Sequence, residues 1–278
     1  MQNHFKTALL LGALGGVLLS IGALLGGQQG MTVALVFAIV TNFGAYWYSD
    51  KFVLRMYRAK ELSVSEYPRV HQLLNELCKK NKMKKPELYL IPSKNPNAFA
   101  TGRNESHAVI GVTEGIIELL TEKELNGVLA HELAHIKNKD MLIGSVAATI
   151  ATTISFVATM ARWSAIFGSR NRNGNIFSLL IISIITPIVA MIIQMAISRS
   201  REFEADKIGA KLAKDSKGLA SALKKLEQSG KGFPMRFGSE ASAHLFISNP
   251  FQGRNMLKLF STHPTTDERI KRLAKIKL

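Results

Sequence analysis

Residues 128–140 read VLAHELAHIKNKD, and the HELAH segment at 131–135 predicts a metal site on a helix. His131 and His135 are four residues apart, so a helix places both imidazoles on one face, where they can bind the same metal ion. Glu132 lies beside them, within reach of a water molecule on that ion. This pattern also arises by chance, so the prediction requires a helix, a third ligand and room for a substrate.

The segment around these histidines is expected to be helical. Thr121 and Glu124 have the spacing of a capping box, and apolar residues follow at helical intervals. Neither proline nor glycine occurs between Val128 and Met141. We therefore predict one helix that continues without a break into the apolar run that starts at Met141.

Four apolar runs indicate an integral membrane protein. The 278 residues are 47% hydrophobic with a net charge of +16, and the apolar residues are concentrated in runs rather than spread as amphipathic stripes. A helix of about 20 residues crosses a bilayer, so each run is a candidate transmembrane helix. The predicted spans are residues 5–27, 31–48, 141–163 and 176–197.

The spans are expected to form two hairpins, over residues 5–48 and 141–197, and the first hairpin turns at GGQQG, residues 26–30. A cleavable signal peptide is the alternative for the first run. That run is too long for a signal peptide, its only charge is Lys6, and a second span follows almost at once.

Residues 49–140 and 198–278 have the composition of soluble segments. Glu87–Ile91 and His107–Val112 read as strands. Asn97–Thr101 reads as a third, edge strand, whose backbone groups can hold a peptide in extended form beside a metal. A surface loop is an equally good interpretation of Asn97–Thr101.

A helix is also predicted from Pro68, with the single cysteine, Cys78, on its apolar face. We expect Cys78 in the core, and one thiol excludes both an internal disulfide and a cysteine-based zinc site. The basic run Lys79–Lys85 admits a nucleic-acid or acidic-lipid interpretation. It has no interleaved aromatic residues and no nucleic-acid motif, so we favour a solvated loop and expect no nucleic-acid partner.

With four spans, the N-terminus and both soluble segments share one side of the membrane. Lysine and arginine near the span ends are concentrated on that side, so the positive-inside rule places it in the cytoplasm. The basic excess then reflects topology and affinity for anionic lipid headgroups.

The fourth span returns the chain to the side of the histidines, followed by SRSREFEAD at 198–206. Glu202 is the predicted third ligand, and Asp206, one turn later, is predicted to accept the free N–H of a ligating histidine. Glu204 is a rival ligand, but it faces away from Glu202 on a helix. The alternative is that these acids only pair with neighbouring Arg199, Arg201 or Lys207.

Three ligands leave the fourth zinc position for water, with Glu132 as the general base and then the general acid in hydrolysis of a peptide bond. His263, in STHPTTDER at 261–269, is the candidate to stabilise the oxyanion, because it precedes a capped helix start at Thr265–Glu268. A capping role at the surface is the alternative for His263.

The segments HELAHIKNKD, SRSREFEAD and STHPTTDERI, with four spans, resemble those of the HtpX-type membrane zinc metalloproteases, relatives of the CAAX prenyl endopeptidases. The resemblance covers essentially the whole chain. It implies a mainly α membrane protein with four transmembrane helices and a cytoplasmic α+β zincin-like domain assembled from two segments. It implies one Zn²⁺ per chain, with roles for these residues: His131, His135 and Glu202 as ligands, Glu132 as acid and base, Asp206 as support, His263 as a transition-state contact, and Asn97, Ala98, Phe99 and Ala100 as the substrate-binding edge.

The same resemblance implies a multi-pass protein of the bacterial cytoplasmic (inner) membrane that clears misfolded or damaged membrane proteins under stress. The active site would face the cytoplasm, and other membrane quality-control proteases would be partners. The prenyl endopeptidases have more spans, which enclose a large chamber, so their substrate does not carry over.

Two other classes remain to be weighed. A channel, transporter or scaffold with a coincidental metal site is the main alternative, but the only charged residues of the apolar runs, Lys6 and Arg162, lie next to their ends, and the interiors lack the charge that such pathways usually carry. A metal-binding pseudoenzyme is disfavoured because Glu132 is present.

Overall fold

The computed structural model describes residues 2–102, 104–167, 176–230, 232–235, 237–238, 245–248, 250 and 263–278. The chain is mostly helical with one small sheet, and it forms two compact units. One unit comprises Met1–Tyr46 and Ile143–Ser200, and the other comprises Trp47–Leu142 and Arg201–Leu278.

The helices are α1 Gln2–Met56, α2 Pro68–Asn81, α3 Glu114–Leu119, α4 Glu122–Lys137, α5 Asp140–Phe167, α6 Ile176–Ala213, α7 Lys217–Gly230 and α8 Thr266–Leu273. The strands are β1 Lys60–Glu61, β2 Glu87–Ile91, β3 Ala98–Thr101 and β4 Val109–Thr113.

Helix α1 covers both spans of the predicted first hairpin. The loop expected at residues 26–30 is helical instead, and within it Gly27 alone has a left-handed φ of 55°. Glycine adopts this φ without a Cβ clash, so one residue can bend the chain where a loop was predicted. On the C-terminal side of Gly27, the ring of Phe37 stacks on that of Phe156 in α5, with centroids 5.2 Å apart.

Two helices among the described residues are long and apolar enough to cross a membrane. They are Asp140–Met160, with a mean hydropathy of 1.9, and Ser183–Ala213, with a mean hydropathy of 1.4. Ala8–Ala23 is a shorter apolar helix. The described residues therefore contain two candidate transmembrane helices, and the four predicted spans remain a prediction.

The uninterrupted helix predicted from the histidines into the third apolar run is wrong. The capping box of Thr121 and Glu124 is present, but α4 ends at Lys137. Lys139 then has a φ of 56°, a left-handed conformation that is uncommon for a residue with a side chain. Helix α5 begins afresh at Asp140, so the second histidine and the candidate span lie on two separate helices.

The sheet has the strand order β1-β2-β4-β3. β2 and β4 are parallel, whereas β1 pairs with β2 and β3 with β4 in antiparallel fashion. Asn97–Thr101 thus contains an edge strand, as the strand interpretation predicted, rather than a plain loop. Helix α4 packs against β3 and α7, so the HELAH residues lie next to the edge of the sheet.

The core of this unit lies between the sheet and helices α2, α4 and α7. The predicted helix from Pro68 is present, and Cys78 is buried in its apolar face, as expected. Burial raises the pKa of the Cys78 thiol to about 11, so this thiol is not a nucleophile at neutral pH.

Gly209 of α6 packs closely against the backbone of α4 at His131, and this contact generates a prediction. A Cβ at this position would lie 2.9 Å from Cα of His131, which is backbone and cannot move alone. We expect Gly209→Ala to destabilise the protein by about 1–3 kcal/mol. Thermal unfolding in detergent, followed by circular dichroism, measures the effect.

Gly144→Ala is the matched control, because a Cβ there meets nothing within 4 Å and alanine favours a helix. Equal midpoints for Gly209→Ala and Gly144→Ala would contradict the close approach of α6 to His131.

Candidate metal centre

Three side chains converge between α4 and α6. His131, His135 and Glu202 each offer a ligand atom, and these atoms all lie within 4.8 Å of one another. The two Nε2 atoms are 3.0 Å apart. The Glu202 oxygens lie 3.8 Å from Nε2 of His131 and 3.6 Å from Nε2 of His135.

These distances fit a tetrahedral metal ion. Ligand atoms about 2.0–2.2 Å from a tetrahedral zinc are roughly 3.4 Å from one another, which lies within the range of the three separations. Two imidazoles and one carboxylate form a donor set that zinc accepts in enzymes. His131 and Glu202 are buried, so the set is shielded from bulk water.

A carboxylate faces the other nitrogen of each imidazole. Nδ1 of His131 lies 3.1 Å from Oδ1 of Asp206, and Nδ1 of His135 lies 2.8 Å from Oδ2 of Asp140. Such partners hold the Nδ1–H tautomer and leave Nε2 to bind a metal. Asp206 stands where the sequence predicted it.

Asp140 was missed by sequence reasoning. It is five residues after His135, and on an unbroken helix it would point away from that histidine. The left-handed backbone at Lys139 turns it back. Its second oxygen accepts a hydrogen bond from Nε of Arg201, so Asp140 joins the start of α5 to α6.

Arg269, on α8, was also missed. Its guanidinium is buried and binds Asp206 through two hydrogen bonds, of 2.9 Å from Nε and 2.7 Å from Nη2. Its Nη1 lies 3.0 Å from an oxygen of Glu202. The only signal in the sequence was an arginine on a well-capped helix of the same segment as His263.

The structure distinguishes between the alternative interpretations of the acidic residues on α6. Glu202, and not Glu204, belongs to the convergent group. Its arginine partner is the distant Arg269, whereas Arg201 pairs with Asp140. The carboxylate of Glu202 is therefore held by the fold and is not merely paired with an adjacent arginine.

Glu132 is buried at 1% exposure next to this group. Neither of its oxygens has a hydrogen-bond partner of normal geometry among the described residues. Burial raises the pKa of its carboxyl group to about 7, against the opposing charge of His135 and with help from that of Glu202. A carboxyl group with this pKa can both take and return a proton near neutral pH.

The two histidines differ in their affinity for protons. Burial lowers the pKa of His131. For His135 burial acts in the same direction, but the hydrogen bond to Asp140 and the charge of Glu202 outweigh it and raise the pKa to about 9. His135 thus holds a proton at neutral pH that a metal ion must displace.

The remaining predicted residues lie around this group. Nδ1 of His263 is 3.6 Å from an oxygen of Glu202, so His263 belongs to the site and is not a surface cap. The backbone of Ala100, in β3, contacts the carboxyl group of Glu132. Asn97 and Ala98 are held by residues 247–248 of the chain itself, so the edge is less open than the sequence suggested.

The model of Peptidase family M48 matches residues 65–277. The chain belongs to this family. Curated relatives of similar length agree: "Protease HtpX homolog" of Desulforapulum autotrophicum is 48% identical over 98% of this chain and 90% of its own. The namesakes from Persephonella marina and Pyrococcus furiosus are 50% and 46% identical, each over 98% of this chain, and the match covers 96% and 95% of their lengths.

The crystal structure of S. mikatae Ste24p has the same fold as this M48 chain, with a TM-score of 0.61 at 20% sequence identity. The match covers 98% of this chain and 65% of Ste24p. The chain is therefore an HtpX-type membrane metalloprotease with a Ste24p-like fold, and the channel or scaffold alternative is set aside.

The contact between Asp140 and His135 generates a prediction. Asp140→Asn removes the charge that orients and polarises the imidazole, so zinc affinity should fall by about 10–100-fold. Competition for zinc with a fluorescent chelator measures this change. Asp267→Asn, at an exposed position in the first turn of α8, is the control and should bind zinc as the wild type does. An unchanged zinc affinity in Asp140→Asn would show that this contact does not contribute to metal binding.

The raised pKa of His135 predicts proton release on metal binding. Since the proton and the metal compete for Nε2, zinc affinity should rise with pH up to about 9, by roughly tenfold per pH unit. Titration calorimetry at pH 7.5 in buffers of different ionisation enthalpy should detect about one proton released from His135. Affinity that is flat between pH 7 and 9 would contradict a protonated His135.

Proposed function

We propose that this M48 protease is a zinc-dependent endopeptidase that cleaves membrane proteins at the cytoplasmic face of the membrane. The observation that carries this proposal is the buried carboxyl group of Glu132 beside the convergent atoms of His131, His135 and Glu202, with no hydrogen bond of normal geometry to its oxygens among the described residues. That is the arrangement of a base next to a metal-binding triad.

His131, His135 and Glu202 would hold the zinc ion, with Asp206 and Asp140 orienting the imidazoles. The chemistry that zinc would supply there is that of a Lewis acid, which would lower the pKa of a water molecule to about 7 and polarise a carbonyl group. Glu132 takes the proton from the attacking water and returns it to the leaving amine, a role suited to its pKa of about 7. His263, whose Nδ1 lies 3.6 Å from an oxygen of Glu202, is the proposed donor to the developing oxyanion.

The peptide would bind in extended form along β3, which is the edge strand next to α4. Backbone hydrogen bonds to an edge strand are independent of the peptide's side chains, so they suit a protease with many substrates. The predicted contacts are those of Asn97, Ala98, Phe99 and Ala100, and the last of these lies beside Glu132.

Four spans and a cytoplasmic site complete the proposal. The candidate span of α5 begins at Asp140, the residue that holds His135. Only four residues of chain thus separate His135, a proposed metal ligand, from the candidate span. Bilayer-embedded proteins are the substrates that such a site can reach. The positive-inside rule supports the cytoplasmic orientation.

Misfolded or damaged membrane proteins of a bacterial inner membrane are the proposed substrates, with a role in the stress response. Anionic lipids and other membrane quality-control proteases are the proposed partners, and nucleic acid is not. The net charge of +16 supports contact with lipid headgroups.

The role of Glu132 is tested by Glu132→Gln, which keeps the shape of the side chain and removes its basicity. We expect cleavage of casein to fall by about 10²–10⁴-fold while one zinc per chain remains bound. Glu105→Gln, at an exposed position, is the control and should cleave at the wild-type rate. Full activity in Glu132→Gln would refute the mechanism.

The topology is tested with single cysteines in a Cys78→Ala background, since the chain has no other thiol. In intact cells an impermeant maleimide should label Gln28→Cys and Arg170→Cys, because four spans place both positions outside. Leu278→Cys should react only after the membrane is opened. Labelling of Leu278→Cys in intact cells would overturn the cytoplasmic orientation.

A further inference from the structure

The outer edge of β3 already has a partner within the chain. Leu245–Ser248, the edge segment, lies antiparallel to β3, with Phe246 opposite Phe99. The backbone N–H of Ile247 donates a 3.0 Å hydrogen bond to the carbonyl group of Ala98.

Two side chains fix the backbone of the edge segment. The amide of Asn97 donates to the Ser248 carbonyl group at 2.6 Å and accepts from the Ser248 N–H at 3.3 Å. Arg269, the residue that binds Glu202 and Asp206, donates from Nη1 to the carbonyl group of Ile247 at 3.0 Å. The edge segment is therefore tied both to the edge strand and to the metal centre.

An aromatic pocket holds the centre of the edge segment. Phe246 is 1% exposed. Its ring lies edge-on to those of Tyr57 and Phe99, with centroids 4.9 Å and 5.2 Å away. A largely apolar segment thus covers the edge through one bridge at Phe246, whose side chain fills an aromatic pocket.

The backbone groups on the outer edge of β3 cannot pair with the edge segment and with a substrate strand at the same time. In antiparallel pairing, alternate residues of a strand point their backbone groups to opposite sides. Thr113 donates to the Asn97 carbonyl group, so Asn97 faces β4 and Ala98 faces the outer edge. The Ala98 carbonyl group is taken by Ile247 and its N–H by Oδ1 of Asn97 at 3.1 Å.

We propose that the edge segment occupies the place of the peptide substrate, so that an extended substrate must displace Leu245–Ser248 and put its own aromatic side chain into the pocket of Phe246. This inference rests on the proposed function, and it names the substrate class as extended apolar peptide with an aromatic residue opposite Phe99. Competition of this kind reduces the apparent affinity for peptide by the fraction of molecules whose edge is open.

Ile247→Pro tests the competition, because proline lacks the N–H that binds Ala98. Loss of one backbone hydrogen bond should open the edge and lower KM for a β-casein peptide by roughly fivefold. Ile247→Val keeps the N–H and should retain the wild-type KM. Equal KM values for all three proteins would overturn the proposal.

Hydrogen exchange gives a second readout that needs neither turnover nor a proline variant. In Glu132→Gln, the amides of Ile247 and Ser248 should be protected, and a saturating β-casein peptide should make them exchange faster. Exchange that the peptide leaves unchanged would show that the edge segment is a permanent strand.

The aromatic preference is tested on the substrate. In a β-casein peptide, alanine in place of the phenylalanine that enters the pocket should lower kcat/KM by about tenfold to a hundredfold. Equal turnover of every Phe→Ala peptide would contradict the pocket assignment. Cleavage of the β-casein peptide by the wild type is measured first. Absence of cleavage would count against the proposed function, whereas the outcomes above concern the edge segment alone.

Discussion

The structure depends on how the negative charges of four buried carboxylates, which lie close together, are compensated. Glu132, Glu202, Asp206 and Asp140 are all at most 8% exposed. A buried carboxylate without a counter-charge is expensive, so each must be paired, protonated or bound to a metal. Arg269 pairs with Glu202 and Asp206, and Arg201 pairs with Asp140. Glu132 is the one of the four without an ion pair to arginine in the described part of the chain, although the charge of Arg269 also acts on it.

This balance decides which elements meet. Arg269 fixes α8 against α6 because its guanidinium satisfies two carboxylates one turn apart on that helix. Arg201 fixes the beginning of α5 against α6 in the same way. Glu132 has no such ion pair with an arginine among the described residues. Burial disfavours its charged form and raises the pKa of its carboxyl group to about 7. The carboxyl group without an arginine ion pair is thus the one suited to proton transfer.

The likeness to S. mikatae Ste24p shows that this arrangement of elements does not depend on a closely similar sequence. At 20% identity the two chains share a fold with a TM-score of 0.61, although this chain matches only 65% of Ste24p. In the present chain the metal group, the edge strand and the edge segment all lie within one unit, Trp47–Leu142 with Arg201–Leu278. The edge segment is the part of that unit with a direct bearing on substrate access.

The sequence by itself determined the features that repeat over short distances. Helical spacing brought His131, Glu132 and His135 together and set Glu202 apart from Glu204, and strand periodicity found β2 and most of β4 but left Asn97–Thr101 open between an edge strand and a loop. Capping patterns placed the starts of α4 and α8 correctly. Only the tertiary structure decided that Asp140 holds His135, that Arg269 holds Glu202, and that Ile247 covers Ala98. Those contacts depend on a left-handed backbone at Lys139 and on residues far apart in the chain, and no local periodicity encodes either of them.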